Sequence, residues 1–380
     1  MPNLKLNKIS VRAGIATIGV IGGFVSGYGV LVPYYIEKYS LDLEIGGRIF
    51  ALTGFSGIIG VFIATYFVDK IKGAIAGSIG TMFVAIGMSF LVFAPTWNYV
   101  LVGVVIIGLS FGIAQVGISQ LVVDVGGIEA SRRANKNNIG FATASILIPA
   151  LFGITLKSYY AYVLSLFVVL AVIIAVVFYS NTQGQLVHKP EETHKKSNHK
   201  SSIVLLLLGI SAYVGLESAA TGWIPSYLLA KGWSTSKASF GLSVFFISLL
   251  AIRLIILKYI DRLNFGLVTL LSVLCLIPAL FLLYATDLYW LAIVLLGISG
   301  GPVFSMAFAW VVKISPGNAR ITGFIFFSSI SGSMIFPYLI GIYMNKYGAE
   351  YAPLLMMIPS GLALIFFLLG YRSTIQRLSI

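Results

Sequence analysis

The sequence predicts an all-α integral membrane protein: twelve transmembrane helices in two six-helix, pseudo-symmetric bundles. Composition is the first sign, because a chain that is 58% hydrophobic, only 10% charged and of mean hydropathy +0.98 is far outside the range of soluble domains. The second is spacing: the apolar residues fall into twelve runs of roughly 20 residues, the length a helix needs to cross a bilayer. The third is an internal repeat that lays the second half of the chain over the first. A membrane barrel would show short alternating strands instead.

The runs follow in order. The first, 13 to 36, comes after Lys5, Lys8 and Arg12, and no small-residue cleavage site closes a short apolar core, so it reads as a retained span. Spans 46 to 68 and 73 to 94 are separated by the charged Asp69-Lys70-Ile71-Lys72 turn, and 98 to 122 follows. Spans 137 to 156 and 159 to 180 part at Lys157, with Asn135, Asn137 and Asn138 placed to cap the fifth helix. In the second half the spans are 203 to 230, 238 to 260, 265 to 285, 288 to 312, 321 to 344 and 351 to 370. Between the halves, 181 to 202 is rich in Lys, Glu, Ser and His and reads as a solvated linker. Its His188, His194 and His199 are irregularly spaced and lack companion metal ligands. The domains are therefore 1–180, the linker 181–202, and 203–380.

The net charge of +13 is not a nucleic-acid signal, because its distribution is topological. With both termini in the cytoplasm, eighteen of the 25 Lys and Arg face inward, six face outward, and Arg253 lies within a span, which satisfies the positive-inside rule. Multi-pass residence in the cell membrane follows. The single Cys275 lies in an apolar span and excludes an internal disulfide.

The repeat is carried by three matches in the same order. Pro149-Ala-Leu-Phe-Gly153-Ile154 falls on Pro337-Tyr-Leu-Ile-Gly341-Ile342; Gly108-Leu-Ser110-Phe-Gly112 on Gly297-Ile-Ser299-Gly-Gly301; and Phe67-Val-Asp69-Lys70-Ile71 on Tyr259-Ile-Asp261-Arg262-Leu263. Two parallel six-helix repeats are the plan of a rocking transporter. The Gly-x-x-x-Gly at 108 to 112 reads as a close-packing element. With these residues the chain resembles the major facilitator superfamily, whose cytoplasmic Asp-Arg signature is similar to Asp69-Lys70 and Asp261-Arg262. The resemblance implies alternating access by a functional monomer, with Asp69, Asp261 and Arg262 in gating contacts.

A narrower resemblance is to the fucose/glucose type sugar:proton symporters. It rests on Gly112-Ile-Ala-Gln115-Val-Gly-Ile-Ser119-Gln120, on Tyr213-Val-Gly215-Leu-Glu217 followed by Gly222-Trp223-Ile-Pro225-Ser-Tyr227-Leu, on Ser243-Val-Phe-Phe through to Arg253, and on Gly300-Gly301-Pro302. In this fold the first, fourth, seventh and tenth spans line the central path.

Glu217 is the sharpest candidate. Within its own run the nearest formal charges are Lys200 and Lys231, and a charge at bilayer depth is costly unless it faces a polar cavity or carries a proton. It can take up a proton on one side and release it on the other as its hydration changes. Tyr213, Glu217 and Thr221 share a helix face, and Gly222 with Pro225 should interrupt that helix. Gln115, with Ser119 on its face, supplies planar hydrogen bonding, while Trp223 or Trp310 supplies an aromatic face for a sugar ring; Tyr227 enters with the Trp-x-Pro-x-Tyr motif. Arg253, the other embedded charge, reads as structural or gating. No Arg or Lys sits near mid-depth on the lining spans, so the expected solute is neutral or cationic.

The functional expectation is proton-coupled uptake of a neutral solute such as a sugar or polyol. No cofactor is expected beyond the coupling ion, a proton or possibly sodium. The alternatives are a proton-coupled exporter of lipophilic cations and, from another class, a non-transporting sensor or scaffold. An enzyme is disfavoured: all three His fall in the linker, and no phosphate loop, metal cluster or nucleophile motif is present. The expected partners are the solute and the bilayer, with no nucleic acid.

Overall fold

The computed structural model describes residues 8–67, 70–123, 127–181, 200–315 and 321–378, with backbone only at 8, 120–123, 127–138, 261 and 375–378. These residues form twelve α-helices and two short 3₁₀ turns. Among them eleven segments are long and apolar enough to cross a membrane, and Ile139–Ser180, at 42 residues, holds two crossings. Apolar runs of this length become helices because in lipid each backbone N–H and C=O must be satisfied within its own segment.

In the first half, α1 (Lys8–Ser26) and α2 (Tyr28–Tyr39) make the first span, joined by a slight break at Gly27. The Gly27 N–H is shared between the Gly23 and Phe24 carbonyls, 3.0 Å from each. A Cβ there would come 2.7 Å from the Phe152 ring, so glycine allows α6 its close approach. α3 (Leu43–Phe67), α4 (Gly73–Val92) and α5 (Trp97–Val123) follow, then α6 (Gly127–Ser180).

The two spans expected at 137 to 156 and 159 to 180 lie within α6, which reverses at Tyr159 (φ −131°, ψ 24°). Packing shows the reversal. The first limb runs alongside α1, with Gly19 near Gly140 and Gly23 near Ile148. The second runs antiparallel to α4, Ser78 bonding the Ala175 carbonyl at 2.8 Å and Tyr160 that of Leu91 at 2.7 Å. One expectation needs correcting: Asn135, Asn137 and Asn138 do not cap this helix, which begins earlier, at Gly127.

The second half comprises α7 (Lys200–Ala230), α8 (Thr235–Tyr259), α9 (Phe265–Ala285), α10 (Tyr289–Ile314), α11 (Ile321–Tyr347) and α12 (Ala352–Leu378). Ser234 caps α8 through the Lys237 N–H, and Asn264 caps α9 through the Leu267 N–H. Gly232 turns the chain between α7 and α8 at φ 82° with nothing near its missing Cβ, so glycine is there for the backbone angle alone. The interruption expected at Gly222 and Pro225 is absent. α7 is helical throughout, because Gly222 is packed under the Phe50 ring and Pro225 is buried within the bundle.

The chain divides into two compact units. The first is Met1–Leu41 with Ala51–Lys189, and the second is Asp42–Phe50 with Pro190–Ile380. Asp42–Phe50, expected with the first bundle, groups with the second because Phe50 rests on the Trp223 ring, centroids 5.5 Å apart. In unit 1, α4 packs on α5 and α6, and α1 on α6. Buried hydroxyl pairs also join helices: Thr17 of α1 with Thr81 of α4 at 2.9 Å, and Ser26 of α1 with Ser145 of α6 at 2.8 Å. In unit 2, α7 packs on α11 and α12, and α10 on α8 and α9.

The glycine repeat plays the same part in each unit. Cβ atoms on Gly108 and Gly112 would stand 2.4 Å and 2.3 Å from α3 carbonyls; those on Gly297 and Gly301 would stand 2.5 Å and 2.7 Å from α8 carbonyls. Small residues thus bring backbone against backbone, where lipid-solvated helices find their packing energy.

Candidate functional site

Glu217 lies one turn after Tyr213 and one turn before Thr221 on α7, so the three share a face. Arg253 of α8 reaches that face. A terminal guanidinium nitrogen stands 3.7 Å from Glu217 Oε1, and the two side chains are 26% and 22% exposed, arginine first. Between described residues the other ion pair, Lys157 with Glu37 at 3.8 Å, is well exposed.

The arginine is held by α10. Its Nε donates to the Gly301 carbonyl at 2.8 Å, and the Tyr213 hydroxyl donates to the adjacent Gly300 carbonyl at 2.7 Å. Tyr213 is 1% exposed and close enough to feel both charges. The bare backbone at Gly297 and Gly301 is what allows α8 near enough for the Nε contact. Three helices, α7, α8 and α10, therefore converge on one polar cluster.

The pair itself is loose. Charge-assisted N–H···O bonds run at about 2.7–2.9 Å, so 3.7 Å leaves attraction without a direct hydrogen bond.

The other candidates are placed differently. Trp223 is fully buried, its Nε1 donating to the Pro337 carbonyl at 2.8 Å, and Tyr227, also fully buried, donates to the Leu283 carbonyl. Trp310 is 5% exposed and packs edge-on against Tyr371. In this structure the polar handles of Trp223 and Tyr227 are bonded to backbone carbonyls and the Trp310 ring is packed on Tyr371. Gln115 and Ser119 are half-buried on α5 in unit 1, and neither hydrogen-bonds a described residue. Of the expected gating set, Asp69 lies outside the described residues, as does the Asp261 side chain; Arg262 is exposed at the end of a 3₁₀ turn. Arg253 is in the Glu217 cluster.

Sequence reasoning placed Tyr213 and Glu217 on one helix face but named Arg253 apart from them and missed their meeting. The available signal was that two spans each carry one embedded charge, of opposite sign; in lipid such charges seek each other. The Gly300 and Gly301 carbonyls carry no side-chain signal at all. No cluster of His, Cys, Asp and Glu suited to a metal ion occurs among the described residues.

Comparison with known proteins agrees with this architecture. The profile of the Major Facilitator Superfamily matches residues 129–336, more than half of the chain. No curated protein matches. Among solved structures, a bacterial homolog of the human lysosomal transporter Spinster, inward-facing and unoccupied, superposes with TM-score 0.72 at 14% identity, over 97% of each chain. The nucleoside transporter NupG gives 0.72 at 15% identity, over 97% of this chain and 99% of that one. A mutant of the peptide transporter POT bound to alafosfalin gives 0.73 at 16%, over 96% and 94%. At such identities the likeness is one of fold. The family profile carries the assignment: this chain belongs to the Major Facilitator Superfamily and is a secondary transporter of that kind.

Proposed function

We propose that the protein takes up a small hydroxylated solute, a sugar or polyol in the first instance, across the cell membrane by alternating access driven by protons through Glu217. The observation that carries this reading is the Glu217–Arg253 pair, embedded in membrane-spanning helices yet partly exposed and 3.7 Å apart. A structural ion pair in lipid would be closed and fully bonded, since each missing contact at that depth is expensive. A solute hydroxyl can donate a hydrogen bond to the carboxylate and accept one from the guanidinium.

The arrangement favours uptake over export of lipophilic cations, because the place such a cation would take beside Glu217 is already held by Arg253. The same repulsion disfavours sodium as coupling ion and leaves the proton. In the reconstituted protein, an inward proton gradient should drive accumulation of solutes from a panel of radiolabelled sugars and polyols. Glu217→Gln should abolish that accumulation while retaining exchange. Accumulation at the wild-type level by Glu217→Gln would remove the proton role.

A further inference from the structure

We infer that the Lys258 end of unit 2 is a docking surface for an anionic phospholipid, its phosphate held among Lys258, Arg262, Lys313 and Arg372 and its acyl chains laid along α9. These four exposed side chains come from three helices and one turn, yet they gather round the start of α9. The Lys313 ammonium lies 5.6 Å from the ring centroid of Phe265, the first residue of α9. Arg262 comes three residues before Phe265 in the chain, and Lys258 four before that, its ammonium 5.7 Å from the Tyr259 ring. α12 joins them at Gly266, where a Cβ would stand 2.7 Å from the Tyr371 ring and 3.3 Å from that of Trp310. Arg372 is the next residue of α12.

The cations at this end are not spent on acids of the protein. Between described residues the ion pairs are Glu217 with Arg253 and Glu37 with Lys157, and neither includes these four groups. The acid that the sequence places among them is Asp261, so positive charge is in excess. At the opposite end of the unit, Lys231, Lys237 and Lys346 are accompanied by Asp287 and Glu350. A topological signal needs only the number of Lys and Arg on one side of the membrane. It does not require them to gather at one helix start.

α9 also offers a place for acyl chains. Leu267, Leu271 and Leu274 are exposed along it at helical spacing, beginning two residues after Phe265. Long Lys and Arg side chains reach from such a strip to headgroup level, and Tyr and Trp rings favour the same depth. Each cation near an anionic headgroup adds to the attraction. An anion with hydrocarbon attached therefore satisfies both the charge and the strip, whereas a free phosphate satisfies the charge alone.

Thermal stability of the purified full-length protein in detergent tests this, with phosphatidylglycerol or phosphatidylcholine of the same chains added in increasing amount. Phosphatidylglycerol should stabilise at an about tenfold lower concentration, and raising the salt from about 0.1 M to about 1 M should erase the difference. Lys258→Gln/Lys313→Gln/Arg372→Gln should bring the two lipids within about twofold of each other. Lys258→Arg/Lys313→Arg/Arg372→Lys keeps the charge and should keep the preference, which separates loss of the surface from loss of the fold. Gln at Lys231, Lys237 and Lys346 should leave the preference intact. Soluble glycerol phosphate should not stabilise.

Equal stabilisation by both lipids, a preference untouched by the Gln changes at the Lys258 end, an equal loss from those at the opposite end, or glycerol phosphate acting as well as the lipid would overturn the inference. None of these outcomes bears on the proton role of Glu217.

Discussion

An arginine that is tied to a helix carbonyl and also faces a carboxylate loses two interactions when it is shortened, and strands the carboxylate as well. Arg253→Ala should therefore destabilise the protein by about 2 kcal/mol, between the values for exposed and fully buried pairs because both groups are about a quarter exposed. Glu217→Gln in that background should recover part of the loss. A double-mutant cycle on denaturation in detergent measures this, and strict additivity would show that the two charges are not coupled. Trp223 gives the opposite case. Trp223→Phe removes the N–H bond to the Pro337 carbonyl and should cost about 1 kcal/mol of stability while leaving solute KM unchanged. A raised KM with unchanged melting would return Trp223 to the solute path.

At the scale of elements, bare backbone decides which helices can meet. A Cβ on Gly301 would stand 2.3 Å from Ile252 Cγ2 and 2.7 Å from the Leu249 carbonyl, whereas one on Gly300 finds nothing nearer than the Tyr213 hydroxyl at 3.3 Å. Gly301→Ala should thus lower stability by about 1–3 kcal/mol through overpacking, and Gly300→Ala by clearly less. Gly112→Ala, the repeat counterpart on α5, should behave like Gly301→Ala, since its Cβ would lie 2.3 Å from the Gly57 carbonyl. Thermal melting of the three variants checks the ranking. Equal melting temperatures for Gly300→Ala and Gly301→Ala would refute the close-contact account.

At the scale of the whole molecule, topology is the property open to direct measurement. In a Cys275→Ser background, a cysteine at the exposed Lys231, between α7 and α8, should react with an impermeant maleimide added to intact cells. One at Arg262, between α8 and α9, should react only after the membrane is opened. The reverse pattern would invert the orientation drawn from the Lys and Arg distribution.

Much of this molecule was determined by its sequence alone. Apolar runs of bilayer length form helices wherever they occur, because lipid offers the backbone no other partner. The glycine repeat announced its packing role, because close approach depends on what each glycine lacks. Most span positions held to within about five residues, although α6 begins at Gly127 and α12 runs on to Leu378. Embedded charge likewise marked Glu217 and Arg253 individually, since its cost is a local property. Only the tertiary structure decided that these two charges face each other, that Gly300 and Gly301 lend them carbonyls, and that Trp223, Tyr227 and Trp310 are enclosed. It also decided that α7 runs unbroken past Pro225, and that Asp42–Phe50 belongs with the second unit. Those outcomes depend on which helix faces are pressed together. Contacts between distant segments leave no trace in local composition or period, and a backbone carbonyl has no identity in a sequence.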